Sequence, residues 1–184
     1  MKEKDILILI EQDIWMMRIL EITRDLNLPD WWIGAGFVRN KVWDHLHGYE
    51  ERTPLADVDV IYFDPSNLDE AVEDAIQDKL KKIDSTITWS VTNQARMHIP
   101  SNEPPYKSSE HALSLWPETP TSVAVTLNDK GGVALIAPHG IQDLVTLTVN
   151  PTPHWRKKPG DYESRLAKKK WDEKWPKLII NHLS

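Results

Sequence analysis

The sequence predicts an α+β domain: a mixed sheet flanked by helices, with a hairpin and a last helix added toward the C-terminus. Three observations carry this prediction. Segments with apolar residues at helical spacing alternate with short β-rich segments along the first half of the chain. The run "TPLADVDVIYFD", Thr53 to Asp64, is apolar on both faces of a strand once its two aspartates are passed. "NDKGG" separates two further β-rich segments in the manner of a hairpin loop. At 184 residues the chain fits one domain, 1–184, with a substantial core.

Residues 5–26 place Ile6, Ile10, Ile14, Met17 and Leu20 near helical spacing, which predicts one helix ended by Leu28-Pro29-Asp30. "WWIGAG", 31–36, predicts a short buried strand running into a glycine turn. Val38, Val42 and Leu46 form one stripe of a helix over 37–47, closed by Gly48. The polar loop "YEERTPLA" leads to the aspartate strand. Asn67 with Glu70 predicts a capping box, and the helix it opens presents Leu68, Val72, Ile76, Leu80 and Ile83 on one face. "STITWSVTN" is β-branched and predicts the next strand. Residues 100–105 read as loop and 109–115 as a short helix. The hairpin pairs 121–127 with 132–137. "IQDLVTLTV" reads as helix, "NPTPHWRKKPGD" as a proline-rich connection, and 161–175 as a basic amphipathic helix.

Composition excludes several classes. No apolar stretch is long enough to span a bilayer, so no membrane partner is expected. Without cysteine there are no disulfides and no thiolate metal sites, and the cytoplasm is the default compartment. The net charge of −6 disfavours a general nucleic-acid binder. It leaves room for a small anionic ligand, because a bound divalent metal reverses the local field. Nine tryptophans against two phenylalanines suggest that some line a pocket while most pack the core.

Asp57 and Asp59 are the strongest chemical signal. Residues two apart on a strand share a face, with Cα atoms roughly 6–7 Å apart. Burying two like charges is costly unless a cation compensates. Hard carboxylate oxygens suit Mg²⁺, or Mn²⁺ in its place. Gly34 and Gly36, with Ala35 between them, form a turn ahead of a helix, where backbone N–H groups meet an anion closely. Arg39 supplies a charged partner one helical turn later. Taken singly, each feature has an ordinary structural reading: a tight turn wants glycine, and an isolated D-x-D is common.

Together they resemble a known pattern. A strand, a glycine turn, a helix and a strand that begins D-x-D is similar to the core of the polymerase β-type nucleotidyltransferases. "AGFVRNKVWDHLHG" followed by "DVDV" resembles the "GGxVRDxLLG…DxD" pattern of CCA-adding enzymes and poly(A) polymerases, with Ala35 for its first glycine and Asn40 for its aspartate. "WWIGAGFVRN", "DVDVIYFD", "NQARMH" and "WPET" resemble blocks of a group of small nucleotidyltransferase-like proteins over residues 5 to 180.

The resemblance implies a nucleotidyltransferase fold binding a nucleoside triphosphate on Gly34, Ala35 and Gly36, with Arg39, Asn93 and Arg96 as further nucleotide contacts. It implies that Asp57 and Asp59 are catalytic and hold Mg²⁺. A hydroxyl acceptor, either a small molecule or a protein, would attack the α-phosphorus and release pyrophosphate. His98 would be a proton carrier. CCA addition itself is not expected, because the chain has no room for the helical RNA-binding domains of such enzymes. A third acid, common on the next core strand of the superfamily, is missing from Ser85 to Asn93. That gap motivates the alternative of a catalytically silent nucleotide-binding or regulatory module on the same fold.

Other readings weigh less. Asp57 and Asp59 could serve as a glycosidase pair, though no sugar cleft is evident beyond the tryptophans. His45 and His47 do not share a helix face. Lys168, Lys169 and Lys170 with Trp171 and Trp175 could stack RNA, but a solvated helix face over packed tryptophans is the simpler reading. Tyr162 and Arg165 could close over the nucleotide.

Overall fold

The structure is a computed structural model, and residues 1–183 are described. The chain opens with two helices, α1 (Glu3–Glu11) and α2 (Ile14–Arg24), where the sequence predicts one. Asp13 makes the break. Its backbone is extended and its carboxylate accepts the Met16 N–H at 3.1 Å, capping a new helix rather than continuing the old one. Lys41 and Arg52 both ion-pair with the same carboxylate at 2.7 Å, so the kink is tied to the loop ahead of the aspartate strand.

Strand β1 (Trp32–Gly34) leads into α3 (Gly36–His47), which ends at left-handed Gly48. Strand β2 (Val58–Tyr62), helix α4 (Glu70–Ile83) and strand β3 (Trp89–Asn93) form a parallel unit, Asp59 pairing with Ser90 and Tyr62 with Asn93. Asp69, not Asn67, caps α4, accepting from the Ala71 N–H at 3.0 Å. Asn67 instead closes a small turn onto the Asp69 N–H, so the helix starts late and Leu68 is left exposed.

After β3 come two short helices, α5 (His98–Ser101) and α6 (Ser109–Leu113), and then the hairpin β4 (Ala124–Leu127) and β5 (Val133–Ile136). The five strands lie in the order β3-β2-β1-β4-β5, with β2–β3 parallel and the other pairs antiparallel. This is the mixed sheet the sequence predicts. The helix expected over "IQDLVTLTV" covers only α7 (Gln142–Val145). Leu147 then takes φ 58°, and β6 (Thr148–Val149) pairs with β7 (Ile179–Ile180) in a separate two-stranded sheet. The basic helix is also divided. α8 (Pro159–Lys169) stops at left-handed Lys170, and α9 (Trp171–Lys174) turns its tryptophan inward.

Both faces of the sheet are covered. Val58, Val60 and Tyr62 join the large core with α1, α2 and the tryptophans Trp43, Trp89, Trp171 and Trp175. Ile61 packs on the other face with Leu113 and Ala124, beside Trp32 and Trp116. Asp59 shares the face of Ile61, so its strand delivers a carboxylate to a covered surface.

Candidate functional site

Asp57 and Asp59 stand at the N-terminal end of β2 and line one cavity of about 320 Å³. The loop before them is pinned. Asp44 of α3 accepts from Thr53 N at 2.9 Å and Thr53 Oγ1 at 2.6 Å, and from the buried Trp175 Nε1 at 2.8 Å. Ser90 is in register with Asp59 on β3, and its hydroxyl favours the ionised form of that carboxylate.

The glycine turn forms the next wall. Ala35 sits ahead of α3 with φ 51° and ψ −121°, a conformation natural to glycine. Its N–H donates to Val123 O at 3.1 Å, so the residue just ahead of β4 holds the turn in place. Gly36 is closely packed: a Cβ there would meet Leu55 Cδ2 at 3.2 Å, and Leu55 would have to yield by a few tenths of an ångström. Ala35 has no side-chain oxygen to cap the helix, and the positive end of twelve-residue α3 therefore opens at the cavity. Ala35→Gly is expected to stabilise the protein by about 1 kcal/mol, because relief of φ > 0 strain outweighs the added freedom of the unfolded chain. A chemical denaturation midpoint no higher than that of the parent would contradict this.

Three cations face the two acids. Arg39 is buried, donating from Nη1 to Thr121 Oγ1 at 3.0 Å and from Nη2 to Asn40 Oδ1 at 2.9 Å. Its guanidinium lies 4.4 Å from the centroid of Trp171 and 5.1 Å from that of Trp43, and its Nε has no partner among the described residues. Burial pulls its pKa down to about 10, with Glu118, Asp59 and Asp57 opposing the shift, so it stays charged at neutral pH. Arg165 comes from α8 and is aimed by fully buried Glu118, at 2.5 Å and 3.3 Å. Lys169, one turn further along α8, completes the set. Its pKa is lowered by burial and by the neighbouring Arg165 and Arg39. Trp116 and Pro117 close the remaining side.

The acids are the strained members of this arrangement. Burial, then the like charge of Asp57, raises the Asp59 pKa to about 6, against the pull of Ser90, Arg39 and Lys169. Two hard carboxylates, one of them costly to ionise, are a donor set that a divalent cation would relieve. The residues therefore fit a metal held by Asp57 and Asp59. Among the described residues no group of three acids or histidines gathers, so no third protein carboxylate joins them.

The structure brings together Ala35, Gly36, Arg39, Asp57 and Asp59. Gly34 lies behind the turn, where a Cβ would be 3.1 Å from Trp116 Cη2, so it makes room for that wall. Asn93 and Arg96 do not reach the cavity. They lie at the opposite end of β3, where Asn93 bonds Asp64 and Ala95, and Glu73 and Glu70 hold Arg96 charged. His98 sits there too, bonded to Ala95 O at 2.8 Å. Trp171 and Trp175 are buried packing residues. Thr121 and Trp116 had no assigned role in the sequence, and Lys169 was read only as one of three lysines on a solvated helix face. "WPET" marked Trp116 only as part of a block and stops short of Thr121, and nothing in a lysine run singles out Lys169.

Comparison with solved structures gives the same fold. An NMR structure reported to reveal a CCA-adding enzyme head domain is 35% identical, with a TM-score of 0.88 over 98% of this chain and 96% of the other. A CCA-adding enzyme in complex with CTP is 14% identical with a TM-score of 0.60, and the match spans 44% of that enzyme. The Thermotoga maritima CCA-adding enzyme complexed with tRNA is 15% identical with a TM-score of 0.60, over 43% of its length. These last two likenesses show the fold, and the chain spans less than half of either enzyme. Among curated proteins none matches. A family model described as nucleotidyltransferase matches residues 21–180. The chain belongs to this nucleotidyltransferase family.

Proposed function

We propose that this chain transfers a nucleoside monophosphate from a nucleoside triphosphate to a hydroxyl acceptor. One observation carries the reading: two aspartates, a helix N-terminus and three cations surround a single cavity. Asp57 and Asp59 would hold Mg²⁺ or Mn²⁺, which when bound neutralises charge on the phosphates and helps align the attack. The backbone around Ala35 and Gly36 receives phosphate oxygens at the start of α3. Arg39, Arg165 and Lys169 balance the remaining charge and hold the departing pyrophosphate. Arg39 suits this role because its plane is fixed by two indoles and two hydrogen bonds before any ligand arrives. The relatives solved with CTP and with ATP support a triphosphate as the ligand.

A catalytically silent nucleotide-binding module is the second reading. It is favoured by the absence of any acid on β3, the next core strand, where the superfamily commonly carries a third one. One experiment separates the two. Each of the four NTPs is added with and without MgCl₂ while the melting temperature is followed. Pyrophosphate release is then measured across an acceptor panel. The transferase reading expects a Mg²⁺-dependent rise with at least one NTP and acceptor-dependent pyrophosphate release. A rise without release selects the silent module, and no rise with any NTP ends both.

A further inference from the structure

Asp57 borders two spaces. On its other side, toward the start of β3, lies a second hollow of about 210 Å³ walled by Trp15, Arg52, Leu55, Ile87 and Thr88. Leu55 and Asp57 line both and form the partition between them. Resting on the transferase reading, we propose that this hollow receives the acceptor, and that the acceptor is a small neutral polyol of monosaccharide size.

The first argument is direction. In-line displacement puts the attacking oxygen and the leaving group on opposite sides of the phosphorus. Arg39, Arg165 and Lys169 line the first cavity alone, so the pyrophosphate departs on that side. The hollow beyond the acid partition is the adjoining space from which an oxygen can approach oppositely.

The second argument is chemistry. The hollow has one cation on its wall, Arg52, and its guanidinium is already engaged by the Asp13 carboxylate that Lys41 shares. Arg52 Nη2 lies 2.8 Å and 2.7 Å from the two carboxylate oxygens of Asp13. Its guanidinium is also fixed 4.0 Å from the Trp15 ring centroid. An anionic acceptor would therefore have to compete with Asp13 for that guanidinium, and it would face Asp57. Trp15, Leu55 and Ile87 offer apolar surface, while Thr86 and Thr88 offer hydroxyls. This mixture suits the C–H and O–H faces of a sugar ring. Size agrees: the hollow is smaller than the roughly 300–1,000 Å³ of pockets for drug-sized ligands, too small for a polymer strand.

The step balances without another reactant. The acceptor oxygen bonds to the α-phosphorus, and the bond from that phosphorus to the bridging oxygen breaks. Pyrophosphate leaves toward the cations. The acceptor proton passes to water at the mouth of the hollow, where Thr88 is exposed.

The test uses the whole chain with MgCl₂ and the NTP that gives a melting shift. Glucose, myo-inositol and ribitol are each added. Binding is read by saturation-transfer NMR with a non-hydrolysable triphosphate, and product by mass spectrometry. At least one polyol is expected to bind and to gain a nucleotidyl group. Thr88→Trp, which fills the hollow, should weaken both readouts by at least about tenfold while the Mg²⁺–NTP shift persists. Thr88→Ser should retain both. Polyols that neither bind nor react while the NTP shift is present overturn the proposal, as does a Thr88→Trp protein that behaves like its parent. Transfer to a serine peptide in their place also overturns it. Absence of any NTP shift in the parent is a different result: it removes the nucleotide reading, and this proposal with it.

Discussion

Asp59→Asn is expected to abolish Mg²⁺-dependent nucleotide binding and, in the same protein, to raise the melting temperature of the ligand-free chain. The two effects share one cause. Asp59 is pushed to a pKa of about 6 by burial and by Asp57. A carboxyl group whose folded pKa lies above its unfolded value favours folding while protonated. That contribution is complete below about pH 4 and is lost as pH rises through about 6. At neutral pH the ionised group therefore costs the apo fold about 2 kcal/mol, using about 1.4 kcal/mol per pKa unit and an allowance for solvent. Asparagine removes that cost and flattens the dependence between pH 4 and 7. On the proposed reading the same change deletes an oxygen that would hold the metal, so nucleotide affinity with Mg²⁺ should fall by at least about 100-fold, beyond the loss of an outer partner. Asp57→Asn should likewise lose the metal-dependent part of binding with the fold intact. A thermal-shift grid of pH against MgCl₂ and NTP checks both. A destabilised apo Asp59→Asn protein would contradict the electrostatic account.

Trp43→Ala is expected to have the largest effect on stability, a loss of about 4 kcal/mol. Trp43 is fully buried, with Trp175 and Trp171 packed edge-on at centroid distances of 5.1 Å and 5.6 Å. It is thus the joint between α3 and the C-terminal helices. Its loss also strips one of the two indoles from Arg39, so nucleotide affinity in the folded fraction should drop by about tenfold. Trp43→Phe is the informative partner. It keeps an aromatic ring and removes an indole N–H that is buried without a partner among the described residues. It should cost far less than alanine, about 1 kcal/mol. Urea denaturation of the three proteins decides the order, and equal losses for alanine and phenylalanine would refute it.

Much of the site was legible because its parts are local. Asp57 and Asp59 stand out against an apolar strand, and Gly36 and Arg39 are separated by less than one helical turn, so spacing alone relates them. Arg165, Lys169 and Thr121 were not legible as a group. Their approach depends on the buried Glu118 and on where α8 packs, and no periodicity encodes either. Arg96 misled for a related reason. It was read beside its polar neighbours in sequence, whereas its partner Glu73 lies across a turn on α4. The fold was legible in element order and sheet type. Its errors fell where a side chain competes with the backbone: Asp13 breaks a helix by capping, and Asp69 outcompetes Asn67. The divided last helix was illegible because lysine at φ 46° gives no warning in sequence.

The wall built by α8 bears on how the protein is born. Translation delivers the two carboxylates well before the helix that opposes them, since domains are made from the N-terminus onward. Until α8 packs, Arg39 alone of the three cations opposes the two carboxylates. On the proposed nucleotide reading, full charge balance at the cavity waits for Glu118 to draw Arg165 into place.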